Sequence, residues 1–328
     1  MLRVRLAAMS LYKYVTADRI DVLENELIRF SQPSVLNDPW DTRPHVERLI
    51  TDYDLEELSK PLTDKPDDEL VNYISEIIEK EARVRNLGDV SLEEIKQALI
   101  EGNKQFPGEL RAFYEGVFAE TLTSAKEVLA QAHEYIPQAI DKALGILSLT
   151  KKPDHPLMWS HYAATHSGFV LVFNETHEFF SSALQQSDDV GGLHRIRYCS
   201  ERPKFDPLID MSRLEEMENS EYFISWMDKV FFTKSQEWEY EQEWRIINSL
   251  KHADKILTVP SGDVYLFHLP SSCIEGVILG QNMAPDKKEK IIEFMSFDDR
   301  YKHTQLLQAR SSTAEFKIEF SEIPRITQ

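Results

Sequence analysis

Residues 156–173, Pro156-Leu157-Met158-Trp159-Ser160-His161-Tyr162-Ala163-Ala164-Thr165-His166-Ser167-Gly168-Phe169-Val170-Leu171-Val172-Phe173, place two periodicities side by side. Pro156 suits the first position of a helix and Gly168 the position just past its end. Trp159, Tyr162, Ala163 and His166 then share one helical face, at i, i+3, i+4 and i+7. Gly168 to Phe173 (GFVLVF) reads as a short strand. Working outward, Leu27 to Ser31, Gly145 to Thr150, His194 to Cys199, Glu243 to Asn248, Asp263 to His268, Cys273 to Leu279 and Glu315 to Phe320 also read as strands. Helices are expected at about Ser212 to Val230 and Pro285 to Phe294. The elements do not alternate in regular βαβ units. The expected class is therefore α+β, with a mixed, mainly antiparallel sheet, whole or split, rather than a doubly wound fold.

Residues 45–144 differ in texture. Ile74, Ile77 and Ile78 recur at helical spacing, as do Leu92, Ile95 and Leu99. Ser91 and Glu94 have the spacing of a capping box, and Pro61, Pro66 and Pro107 divide the stretch into several helices. It carries 22 acidic and 11 basic side chains. Three regions are expected: residues 1–44 as the N-terminal part of an α+β core, residues 45–144 as an acidic helical insertion, and residues 145–328 as the remainder of the core. Solvated helix faces account for the acidity; the functional reading is a lid or a surface for a protein partner.

The whole chain of 328 residues has 37 basic and 56 acidic side chains, a formal charge of −19. That argues against a broad nucleic-acid-binding surface, which needs a basic footprint. No apolar run approaches the ~20 residues of a membrane span. Cys199 and Cys273 have no CxxC spacing, and so few thiols suit a reducing compartment. The apolar stretch Leu6-Ala7-Ala8-Met9 is too short for a secretory signal, so a cytoplasmic protein is expected.

Four motifs carry candidate chemistry. In Leu11-Tyr12-Lys13-Tyr14, read as a strand, Tyr12 and Tyr14 share one face and Lys13 takes the other. In Ser31 to Asp41, Asn37-Asp38-Pro39 is a turn signal. Beyond a plain turn, it would hold Asn37 and Asp38 rigidly at the lip of a cleft. In the helix quoted above, Trp159 reads as core, while core and site readings balance for His161. The five-residue step from His161 to His166 is not a two-ligand helical spacing, which argues against zinc. In Lys234 to Ile247, a strand starting near Glu241 puts Glu241, Glu243 and Arg245 on one face and Gln242, Trp244 and Ile246 on the other. Surface ion pairing is the plain reading. The functional one is a carboxylate pair whose repulsion raises one pKa. All five tryptophans, Trp40, Trp159, Trp226, Trp238 and Trp244, fall in or near these motifs, which suggests one aromatic-walled region.

Together the four motifs resemble a bacterial family known as domain of unknown function 2971, with the pattern YKY, SxPxxFNDPxE, MWxHYAxxHxGFxLxF and K…WxYExEWR. The matching residues are Tyr12 to Tyr14, Ser31 to Asp41, Met158 to Phe173 and Lys234 to Arg245. Asp41 replaces the usual glutamate, Trp40 a phenylalanine, and Ser167 a common basic residue. Residues 45–145 fall in a variable insert. The chain is more distantly similar to the ADP-ribosyltransferase fold. There a basic residue, an aromatic or serine, and a late glutamate occur in the order of Lys13, Tyr162 and Glu243, and Glu241-Gln242-Glu243 is similar to an ExE signature. This likeness implies NAD as substrate in a toxin or effector domain, with phage defence as its setting. It implies Glu243 as the catalytic carboxylate with Glu241, His161 and Tyr162 beside it. It places Tyr12, Lys13, Tyr14, Ser31, Asn37, Asp38, Trp159, Lys234 and Arg245 around the nucleotide. Two alternatives stand beside it: a metal-dependent nuclease using Asp38, Asp41, Glu241 and Glu243 near Lys234, and a non-catalytic sensor of nucleotides or of a partner protein.

Overall fold

A computed structural model describes residues 10–43, 45–46, 66–84, 91–106, 108–109, 111–113, 115–116, 120, 137–182, 192–205 and 228–327. The chain forms two compact units, one of Met1–His45, Pro137–Lys204 and Leu214–Gln328, the other of Val46–Ile136 and Phe205–Arg213.

The first unit is α+β. Its strands, with two short ones near the unit boundaries, are β1 (Ser10–Val15), β2 (Leu27–Phe30), β3 (His45–Val46), β4 (Leu144–Thr150), β5 (Phe169–Asn174), β6 (His194–Arg195), β7 (Arg197–Cys199), β8 (Lys204–Phe205), β9 (Thr233–Ser235), β10 (Glu243–Ser249), β11 (Lys255–Val259), β12 (Gly262–His268), β13 (Ile274–Leu279), β14 (Gln305–Ser311) and β15 (Ile318–Glu322). Eight of them form a mixed, mainly antiparallel sheet in the order β15-β14-β13-β5-β1-β4-β10-β6. The one parallel pair in it is β13–β14, bridged by the helix Pro285–Phe297. A smaller antiparallel sheet runs β11-β12-β2.

The strand β5 is buried on both faces, which is why its sequence is a continuous apolar run. Phe169, Leu171 and Phe173 enter one core with Leu11, Leu147, Leu149, Ile246 and Met295. Val170 and Val172 enter a second with Tyr12, Tyr14, Met158 and Trp159. Burying each large apolar side chain contributes about 1.5–3 kcal/mol, so these two layers fix β1 and β5 firmly.

The neighbouring seam is different. Strands β1 and β5 pair along their whole length, from Ser10↔Asn174 to Val15↔Phe169. Strands β1 and β4 share one register pair, Tyr12↔Thr150, whereas β4 and β10 pair fully from Glu243↔Thr150 to Ser249↔Leu144. The sheet is thus pinned at one point and open beside it.

The expected helix from Pro156 stops at Tyr162, six residues short of Gly168. Ala164, Thr165 and His166 all take positive φ, and this left-handed run brings the His166 ring parallel to Trp159 at 6.0 Å. Gly168 is therefore not a helix cap. A Cβ there would lie 2.1 Å from the Val15 carbonyl oxygen, so the residue is glycine because β1 passes too close for a side chain.

In the second unit the helices Asp67–Val84 and Leu92–Gln105 pack through Ile74, Leu70, Tyr73, Ile78 and Leu99. Ser91 occupies the N-cap of the second but its side chain makes no capping hydrogen bond, so the capping box does not form. The expected helix over 212–230 lies outside the described residues except for 228–230. Among the described residues no helix is long and apolar enough to cross a membrane. Both cysteines are free thiols.

Candidate active site

A cavity of about 430 Å³ opens at the weak seam between β1 and β4. Strand β1 contributes Tyr12, Lys13 and Tyr14, β4 contributes Ser148 and Thr150, and the helix Pro156–Tyr162 contributes Met158, His161 and Tyr162. Ser31 and Asn37 line it from the N-terminal loop, and Asp41, Lys234, Glu241, Glu243 and Arg245 form a charged wall. Two expected members do not line it. Asp38 faces another cavity. Trp159 is fully buried behind the wall, its indole N–H donating to the Pro153 carbonyl. None of Trp40, Trp159, Trp238 and Trp244 lines the cavity, and Trp226 lies outside the described residues; the aromatic wall is made of tyrosines.

The charged wall is buried, contrary to a plain surface ion-pair reading. Glu241 does not belong to the strand. It ends the 3-10 helix Gln236–Glu241, and Gln242 turns through the left-handed region at φ 44° before β10 starts at Glu243. That turn still delivers both carboxylates to Lys234, which β9 points inward. Lys234 Nζ donates to Glu241 at 2.7 Å and to Glu243 at 3.2 Å, and lies 3.8 Å from Asp41. Arg245 uses all five of its N–H donors. They go to Glu243 at 2.6 and 3.0 Å, to Asp41 at 2.8 Å and through a second, shorter contact, and to the Phe231 carbonyl at 2.9 Å. Fully satisfied geometry is what allows such charges to be buried at all, since desolvating each ion costs several kcal/mol.

The two glutamates are pushed apart. Burial raises the pKa of Glu243, but the Arg245 and Lys234 charges outweigh it and hold the carboxyl well below the usual range. For Glu241 burial dominates and the pKa stays above its ordinary value, despite Lys234. Their bonding differs in the same sense. Glu243 is surrounded by Arg245, Lys234 and the Ser148 hydroxyl. Glu241 accepts one bond on each oxygen, from the Tyr162 hydroxyl and from Lys234. Tyr162 in turn accepts from the Asn37 amide at 2.8 Å. Its own pKa is raised, first by burial and then by Glu241, so it remains a donor.

Lys13 sits across the open seam, its Nζ donating to the Ser148 carbonyl at 2.8 Å. Burial lowers its pKa to about 8. Tyr14 donates to the Lys152 carbonyl at 2.6 Å and stands edge-on to Trp159 at 5.3 Å. His161 is exposed at the mouth, 6.2 Å from the Tyr162 ring.

The sequence marks Asp41 as the acid that ends the Ser31–Asp41 motif and as a ligand of the nuclease alternative; it proves to be the second carboxylate clamping Arg245. Ser148 and Thr150 gave no signal, because their part depends on register with Arg245 and Glu243. Among the described residues no group of three or more His, Cys, Asp or Glu side chains is arranged to hold a metal ion. The position between Asp41, Glu241 and Glu243 is taken by the Lys234 ammonium.

A family profile described as Protein of unknown function (DUF2971) matches residues 158–246. The chain carries a DUF2971 region. Tyr162, Lys234, Glu241, Glu243 and Arg245 all fall within it, while Lys13, Asn37 and Asp41 reach the cavity from before it. No curated protein and no solved structure matches the chain.

Proposed function

We propose that this cleft binds NAD and breaks its nicotinamide–ribose bond, in the manner of an ADP-ribosyltransferase or NAD glycohydrolase. The supporting observation is Glu241, a buried carboxylate with one lone pair left on each oxygen, at a tyrosine-lined cavity and beside a second carboxylate that is fully engaged. On bond cleavage the electron pair leaves with nicotinamide, and the ribose becomes an oxocarbenium-like cation at C1′. Glu241 stabilises that cation and accepts from a ribose hydroxyl, held in place by Tyr162 and Lys234. Water or an acceptor nucleophile then adds at C1′ and loses a proton. Glu243 serves Glu241 indirectly: it fixes Lys234 and Arg245. This assigns to Glu241 the role that motif order gives to Glu243. The activity suits a cytoplasmic toxin or effector domain, with phage defence as a setting. The nuclease reading is weaker because Lys234 occupies the place a Mg²⁺ ion would need.

The test is nicotinamide release from NAD. The Glu241→Gln variant is expected to lose about 10²–10³-fold in turnover with substrate affinity largely kept. Turnover equal to that of the unaltered protein overturns the assignment.

A further inference from the structure

A second cavity of about 230 Å³ is lined by Asp38, Trp40, Asp41, Cys199, Glu201 and Arg202 among others. Several of its polar groups are engaged. Asp41 holds Arg245, Arg202 donates to the Arg43 carbonyl at 2.7 Å, and the Cys199 thiol donates to the Glu201 carbonyl at 2.8 Å. Asp38 differs in having a buried side-chain oxygen without a partner. It is 3% exposed, and its Oδ1 accepts from the Trp40 backbone N–H at 2.9 Å. Its Oδ2 is buried with no hydrogen-bond partner. A buried carboxylate oxygen without a donor is costly, and such a group lining a cavity calls for an N–H or O–H from outside the protein. Beside it Trp40 is 57% exposed, a large indole left in water next to a buried acceptor. A stacking ring and one acceptor together fit a planar heterocycle with an exocyclic amino group.

We propose that this cavity is a nucleobase subsite, in which an amino-substituted ring stacks on Trp40 and donates its amino N–H to Asp38 Oδ2. The inference rests on the NAD reading for the identity of the base, which is then adenine. The cavity is small enough for one ring system, and Asp41 and Lys234 line both it and the main cleft.

Calorimetric titration with adenosine and with purine riboside, which lacks only the amino group, tests it. Adenosine is expected to bind at least about tenfold more tightly. Asp38→Asn, which turns an amide NH₂ toward the cavity, removes the difference between the two nucleosides. Trp40→Leu, at an exposed position, weakens both by about tenfold. An unchanged unfolding midpoint confirms that each variant folds. Equal affinity for the two nucleosides, an unaffected preference in Asp38→Asn, or no binding of adenosine at its solubility limit overturns the proposal. Neither nucleoside contains nicotinamide. NAD cleavage without adenosine binding therefore overturns this subsite alone, and adenosine binding without NAD cleavage overturns only the reading of the main cleft.

Discussion

Lys13 shows most directly how function and stability oppose each other at a single residue. Its amine is pushed by burial from the ordinary 10.5 to about 8. Below pH 8 it is charged in the folded and unfolded chain alike, and the folded chain bears the cost of burying that charge. Between about 8 and 10.5 the folded chain has shed the proton and the unfolded chain has not, so stability gains with rising pH. Lys13→Met is therefore expected to be more stable than the unaltered protein at pH 7, by on the order of 1–3 kcal/mol, with the gain vanishing near pH 10.5. Urea unfolding at the two pH values measures this; a variant less stable at pH 7 contradicts it. The same lysine supplies the positive charge that β1 brings to the cleft, so the Michaelis constant for NAD should rise as pH passes about 8. Arg245 is the opposite case: every donor is satisfied, and it carries structure rather than chemistry. Its motif position marked it for the site, but only the fold reveals that Asp41, 204 positions earlier, is its partner.

At the scale of the element, close approach decides more than local propensity does. Gly168 sits where a side chain would strike the Val15 carbonyl, so Gly168→Ala is expected to cost about 3 kcal/mol and to disturb Lys13 through β1. A change in urea midpoint worth less than about 0.5 kcal/mol would show that the strand end yields. The strands with strong apolar runs, β4, β5, β10 and β13, were legible in the sequence because their burial imposes the pattern. Strand β11 was not, since all five of its residues are exposed and no half-buried alternation marks it. Strand β14 was hidden by Gln308, a buried amide donating to the Leu279 and Gly280 carbonyls in the middle of an apolar stretch. The helix end at Tyr162 was misplaced because glycine after a helix usually means a cap, and here it means a neighbouring strand. Glu241 and Glu243 were correctly placed together for an incorrect reason: a left-handed Gln242 joins them, not strand alternation.

At the scale of the whole molecule, the formal charge of −19 is unevenly spread, with a net −11 in residues 45–144. The motif-bearing remainder keeps 26 basic side chains, and Lys13, Lys234 and Arg245 are the ones that meet at the cleft. Lys234 and Arg245 are paired with Asp41, Glu241 and Glu243, so among the lining residues Lys13, which donates to a backbone carbonyl, is the cation without a carboxylate partner. On the proposed function, the opening between β1 and β4 is an NAD site served by Glu241. A crystal structure of Glu241→Gln grown with saturating NAD tests it most directly. The nicotinamide ribose is expected within hydrogen-bond reach of residue 241, with the ring against the tyrosine wall of Tyr12, Tyr14 and Tyr162. An empty cleft at saturation, or NAD bound elsewhere on the molecule, would contradict it.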